Sequence, residues 1–322
     1  MNLSINRALI REIEKWLDPI NPSNSLMNIE ILGYGEISTV FGITFENSQS
    51  CACKRLPVFS SENESKDYIK LYKNYNLRLH EIGINVPNYD GINIKGHGGI
   101  YVNYLIQERL AGSAVCNKII HKITVDESLV LLELIIKEMA KVWHFNRKNR
   151  AVSIGLDGQI SNWAIKNFSE ENLKIDKNTE LYFIDTSTPF IRINGEEQIN
   201  GLLLLKSAPG ILQPILAKLF LADVIGRYYN FRDVIIDLLA NLHKEQKPEL
   251  IAPALIGINR LFENELSEFN MTPITQDEID KYYKEDKFIW SLYMAVRKLD
   301  RFIKTKILRR RYEFILPGKI QR

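Results

Sequence analysis

The sequence predicts an α+β chain in two lobes: a small antiparallel sheet with one long helix, then a larger, mainly helical lobe. Three observations predict it. Short alternating runs punctuated by glycine fill most of residues 27–110. One long amphipathic run, Glu62–Ile82, interrupts them. Past Gly112 the apolar residues recur mainly at helical spacing. A chain of 322 residues has room for two lobes. With 45% apolar and 25% charged residues it is neither disordered, collagen-like nor a coiled coil.

The elements follow in chain order. Residues 1–26 hold an amphipathic helix with Leu9, Ile10, Ile13, Trp16 and Leu17 on one face, ending before Pro19. Residues 29–43 read as two strands joined by a glycine-rich turn, and 51–56 as a third. In Glu62–Ile82 the residues Tyr68, Leu71, Tyr72, Tyr75, Leu79 and Ile82 share a face, and Gly83 stops the helix. Two more strands, 91–95 and 99–107, meet at the turn Gly96–Gly99. The second lobe, 111–322, opens on a long helix striped by Leu129, Leu132, Ile136, Met139, Ala140 and Trp143. Residues 154–168 are short and mixed, 181–185 form a strand, and from Pro209 onward there are helices and no strand signal.

Three separated pieces carry chemistry. Gly33-Tyr34-Gly35-Glu36-Ile37-Ser38-Thr39-Val40 reads G-x-G-x-x-S-x-V between two strands. Glycines let a backbone approach a phosphate closely, though an ordinary hairpin turn has the same composition. Lys54 follows Val40 by 14 residues on the next strand, with Ala52 and Leu56 on its face. A lysine there is either solvated or, if buried, needs an anion. Asp157 and Asn162 form D-x-x-x-x-N, and Asp185 ends an apolar strand 23 residues later. A carboxylate and a carboxamide oxygen suit magnesium, and a second carboxylate can take a proton from a hydroxyl. A turn at Asp157-Gly158 and a helix cap at Asp185 are the plainer readings.

In order and spacing these pieces resemble the protein-kinase-like superfamily, closest to its aminoglycoside phosphotransferase and choline kinase branch, over residues 28–240. Asn85-Val86-Pro87 and the segment from Tyr104 to Gly112 are similar to that branch's turn and hinge. The resemblance implies a bilobal kinase-like fold, ATP and Mg2+ as cofactors, and a small-molecule hydroxyl acceptor. It implies that Gly33, Gly35 and Ser38 cover the phosphates and Lys54 contacts them. It implies that Val40 and Ala52 roof the adenine and that backbone at Glu108 and Leu110 receives it. Asp157 would be the base, Asn162 and Asp185 the magnesium ligands, and Glu64 the partner of Lys54. There are three departures from the pattern: Gly155 and Leu156 stand where the family has histidine, Thr186 where it has glycine, and Trp163 follows Asn162, where a small or aliphatic residue is commoner. A divergent subfamily fits, with a non-catalytic nucleotide- or partner-binding module, or transfer of another group such as AMP, as alternatives.

The remaining features exclude more than they suggest. With 42 basic and 39 acidic side chains the net charge is +3, so no nucleic acid partner is expected. No run of apolar residues is long enough to cross a membrane, and residues 1–22 do not read as a secretory signal. Three cysteines make no disulfide scaffold and fit a cytoplasmic setting. Cys51 and Cys53 read as strand packing rather than a zinc site, and His144 as a helix-end residue. Eight basic residues lie between Arg297 and Arg311 with Leu299, Phe302, Ile303, Ile307 and Leu308 among them. The favoured reading is a C-terminal helix with one core face and one solvated face; a weak contact with an anionic surface is the other.

Overall fold

The computed structural model describes residues 3, 5–25, 29–35, 37–45 and 50–318. Helix α1 (Arg7–Trp16) starts where the Asn6 side chain accepts the Ala8 and Leu9 N–H groups at 3.0 and 3.1 Å. Five antiparallel strands follow: β1 (Glu30–Tyr34), β2 (Thr39–Thr44), β3 (Ser50–Phe59), β4 (Tyr89–Lys95) and β5 (Tyr101–Glu108). Their spatial order is β1-β2-β3-β5-β4, with α2 (Glu62–Ile82) inserted between β3 and β4. Period-two alternation gives the sheet two buried faces. Phe41, Cys53, Tyr104 and Ile106 pack with Ile10 and Ile13 of α1, whereas Leu56 and Leu105 pack with Tyr68, Ile69 and Tyr72 of α2. Gly83 ends α2 at φ 90°, a conformation that favours glycine.

The rest is mainly helical: α3 (Cys116–Ile119), α4 (Val125–Lys148), α5 (Gln213–Leu216), α6 (Ala222–Arg227), α7 (Phe231–Lys244), α8 (Ile251–Asn264) and α9 (Gln276–Phe302). Short strands interrupt it. β6 (Val152–Ile154), β9 (Ile191–Ile193) and β10 (Glu196–Glu197) form one small sheet; β7 (Trp163–Ile165) and β8 (Leu181–Phe183) form a two-stranded ribbon. β6, β9 and β10 escape the sequence reading because runs of two or three residues have no periodicity to detect. The core joins Leu132, Ile136 and Met139 of α4 to Ile235, Leu238 and Leu239 of α7, each worth about 1.5–3 kcal/mol when buried.

Two expectations about the C-terminus need correction. Residues 311–316 do not stay with the helical half: Tyr312 and Phe314 join the α2 side of the sheet and Ile315 the α1 side. The cause is Arg55, which is fully buried on β3. It donates to Glu14 at 2.7 Å through Nε and Nη2, to the Glu313 carbonyl at 2.6 Å and to the Glu313 carboxylate at 3.3 Å, while Tyr104 donates to Glu14 at 2.7 Å. A buried cation requires such partners. In α9 and beyond, the expected core face is also inverted. Leu299, Phe302, Ile307 and Leu308 are exposed, and Val296, Arg297 and Asp300 are buried. Among the described residues no helix is long and apolar enough to cross a membrane.

Candidate active site

Alternation along β3 turns Arg55 to one face and Lys54 to the other. Lys54 is half-buried, and its Nζ lies 2.5 Å from Asp185 Oδ1 and 3.0 Å from Ser187 Oγ. Asp185 follows β8, and the Ser187 hydroxyl donates to the same Oδ1 at 2.9 Å. Burial alone would raise the Asp185 pKa; the Lys54 charge and these hydrogen bonds hold it below the ordinary aspartate value. Trp163 pairs with Phe183 across the ribbon, and the Ile184 N–H donates to the Asn162 carbonyl at 2.8 Å. Asn162 and Asp185 thus leave adjacent strand ends side by side. Tyr68 of α2 closes this corner, donating to the Ser187 carbonyl at 2.8 Å.

The β1–β2 turn covers the same space. Its N–H at Gly35 donates to the Ser38 carbonyl at 3.0 Å, and a Cβ at Gly35 would meet Ser38 Oγ at 2.6 Å. A side chain there would have to displace the Ser38 hydroxyl. Tyr34, Gly35 and Ser38 line the cleft together with Lys54, Asp185 and Asn162. Glu36, within the motif, lies outside the described residues.

The D-x-x-x-x-N loop is held by backbone where a histidine was expected. The Gly155 N–H donates to Phe190 at 3.0 Å, the Leu156 N–H to Tyr228 at 2.9 Å, and Tyr75 of α2 donates to the Gly155 carbonyl at 2.8 Å. Gly158 is wedged between Met139 of α4 and Val234 of α7. Asp157 accepts the Gln159 N–H at 3.2 Å, and the Asn162 amide donates to the Asp157 carbonyl at 3.2 Å. Gln159 also donates its side-chain amide to Asp237 at 3.2 Å. Asp237 is the residue that sequence reasoning missed. It sits in the apolar α7, where Asn241, one turn on, donates to it at 3.1 Å. Polar residues at i and i+4 inside an apolar run were the available signal. Burial pushes the Asp157 pKa well above the usual range, and the nearby Asp237 and Asp185 charges add to it. Asp237 is raised as well, by burial first, with Lys244 opposing and Asp286 assisting.

These groups line one cleft of about 320 Å³. It continues past Asp237 and Lys244 into a part walled by residues 204–228 and α9. Lys244 Nζ lies 3.0 Å from Asp286 Oδ2, close enough for an ion pair.

The other expected residues do not join this cleft. Glu64 caps α2: its carboxylate accepts the Ser60 N–H at 2.8 Å, and Lys54 bonds Asp185 and Ser187 instead. Only ten residues separate Glu64 from Lys54, so the first turn of α2 is spent on starting the helix. Val40 faces Lys54, and Gly42 faces Ala52, on paired β2 and β3. Arg109 and Glu30 form a two-pronged bridge, at 2.7 and 2.8 Å, against Gly42, and Gly33 packs toward Val40 outside the open volume. The expected adenine roof is therefore covered. The Glu108 N–H is taken by the Asn88 carbonyl at 2.8 Å, and Leu110 lies just beyond the end of β5. Among the described residues no cluster of three or more His, Cys, Asp or Glu could hold a metal. The hard-oxygen pair of Asn162 and Asp185 fits an ion that takes its remaining ligands from phosphate and water. Cys51 and Cys53 are buried, and burial raises the Cys51 thiol to about 11.

The chain belongs to DUF6206, a family of unknown function whose model matches residues 22–301. A search of curated proteins finds no match. Among solved structures it is similar to one described as WaaP in complex with acyl carrier protein. The identity is 12% and the TM-score 0.32, over 73% of this chain and 90% of that one.

Proposed function

We propose that the chain is a kinase-fold phosphotransferase that moves the γ-phosphoryl group of ATP to a hydroxyl of a small molecule. One observation carries the reading: Lys54, Asp157, Asn162 and Asp185, from three separated segments, meet in one cleft beneath the Gly35 turn. The order β1-β2-β3-β5-β4 with a helix between β3 and β4 supports it.

In this mechanism Asp157 accepts the acceptor's hydroxyl proton. The freed oxygen forms a bond to the γ-phosphorus as the bond to the β-bridging oxygen breaks, and ADP carries away that electron pair. A carboxylate with a raised pKa is the stronger base for this step. Lys54 exchanges Asp185 for the phosphates, and the Gly35 turn excludes water above them. Asn162 Oδ1 and the Asp185 carboxylate would hold Mg2+, which when bound neutralises phosphate charge. The Gly155, Leu156 and Tyr75 hydrogen bonds fix the loop, so the missing histidine costs no base.

ATP consumption against a panel of hydroxyl compounds, with Asp157→Ala as control, tests the reading. Turnover that Asp157→Ala abolishes is expected. Absence of any melting shift in millimolar ATP and Mg2+ would overturn it. One observation favours a second reading, a partner-binding module without nucleotide: the Arg109–Glu30 bridge lies across the expected adenine face.

A further inference from the structure

Besides Asp157, Gln159 and Asp237 the cleft is lined by Leu205, Leu216, Val224, Ile289, Trp290 and Leu292, from the 204–228 segment and α9, with Arg227, Tyr282, Asp286 and Tyr293 among them. The first six of these are only half-buried, unlike the closed core around α4 and α7. Apolar walls left open and continuous with a polar reacting end suit a ligand of matching polarity.

The outer side of α9 carries a second, independent feature. Phe288, Ala295, Leu299 and Phe302 are exposed and fall within about 40° of one line at 100° per residue. Lys281 and Lys284 precede this stripe and Lys298 and Lys306 flank its far end, all exposed. The acidic residues among them are engaged: Glu285 lies 3.7 Å from Arg227, Asp286 3.0 Å from Lys244, and Asp300 2.7 Å from Lys304. Ile211 and Ile215, on the segment forming the opposite wall, are 84% and 55% exposed. Exposed aromatic residues between lysines complement an anionic lipid surface.

We propose that the acceptor is an alcohol bearing an apolar chain, taken from an anionic bilayer on which the α9 stripe rests, with the chain lying in the apolar end of the cleft. The word acceptor rests on the phosphotransfer reading; the chain site and the bilayer contact do not.

The test uses the full chain with phosphatidylglycerol–phosphatidylcholine vesicles containing a monoacylglycerol brominated along its chain. Bromine quenches tryptophan fluorescence at contact, and the Trp290 share is the difference between wild type and Trp290→Phe. Trp290 quenching is expected in anionic vesicles. Vesicle affinity should fall about tenfold for each of Phe288→Ser and Phe302→Ser, as loss of a buried aromatic predicts. Val224→Phe, or Leu292→Phe where the first fails to fold, should abolish quenching while vesicle binding and melting temperature persist. Vesicle binding without Trp290 quenching would overturn the chain site. Equal quenching in pure phosphatidylcholine vesicles would overturn the anionic-bilayer source. Turnover on short water-soluble alcohols with no gain from an added chain would overturn the lipid acceptor and leave phosphotransfer standing. Quenching with no ATP turnover on any acceptor would leave the chain site and remove phosphotransfer.

Discussion

Asp185 and Asp157 line the same cleft yet live under opposite electrostatics. Asp185 has Lys54 at 2.5 Å and a serine hydroxyl at 2.9 Å, and its pKa is held down. Asp157 is buried with the Asp237 carboxylate for a neighbour, and burial first, then that charge, pushes its pKa up. The same residue type has its ionised form favoured in one place and its protonated form favoured in the other. The difference comes from what each loop brings along: the β8 end carries Ser187 and faces β3, whereas the Asp157 loop leans on α7 and Asp237.

The largest expected break in this contrast is Asp157→Asn. Turnover should drop about 100- to 10,000-fold while vesicle and nucleotide binding persist. Stability should respond too. An aspartate whose folded pKa is raised contributes stability fully below its ordinary value of 3.8, and loses it as pH rises through the folded pKa. Asp157→Asn should remove that decline, so its melting temperature at pH 7 should equal or exceed wild type. A melting temperature several degrees lower would contradict the unfavourable placing of the charge.

Lys54→Met sharpens the other side. Asp185 contributes stability present above 3.8 and lost as pH falls through its lowered pKa. Removing Lys54 should flatten that acid limb in urea titrations, weaken nucleotide binding and destabilise the chain by about 1–3 kcal/mol at neutral pH, the range for a partly buried acceptor left without its donor. An unchanged acid limb would mean that Lys54 does not set the Asp185 charge.

Arg109→Ala should have a smaller effect, a few-fold gain in ATP affinity measured calorimetrically, because the Gly42 face opens. A loss of affinity would instead make Arg109 a nucleotide contact. Glu64→Gln is the mildest change: a few tenths of a kcal/mol from the helix cap, and less than about twofold in turnover. A tenfold fall in turnover would show that Glu64 leaves the cap for Lys54 in the working state.

The sequence made the polar cleft legible because its residues are marked by local pattern. Gly35 sits in a spaced glycine turn, Asn162 follows Asp157 by five residues, and Asp185 ends an apolar strand. What it could not carry was pairing between distant segments. Nothing local to Arg109 tells that it reaches Glu30, 79 residues away, whereas Ser61-x-x-Glu64 is a local capping signal that competes with the Lys54 assignment. Asp237 was hidden for the same reason, as its role depends on Gln159, 78 residues away. The buried Arg297 and exposed Leu299 show the limit of reading burial from residue type: the returning 311–316 segment decides which face of α9 is covered.

The Arg55 cluster carries a consequence in time. Glu14 and Arg55 leave the ribosome early, but their third member, Glu313, is 258 residues beyond Arg55. At roughly 5–20 residues per second, the sheet waits on the order of tens of seconds for the strap that completes it. Until then the nascent chain holds a half-satisfied ionic cluster beside unclosed apolar surface, a species suited to chaperone capture. Pausing translation shortly before codon 313 should lengthen that exposure more than a pause of equal duration before α2 is made.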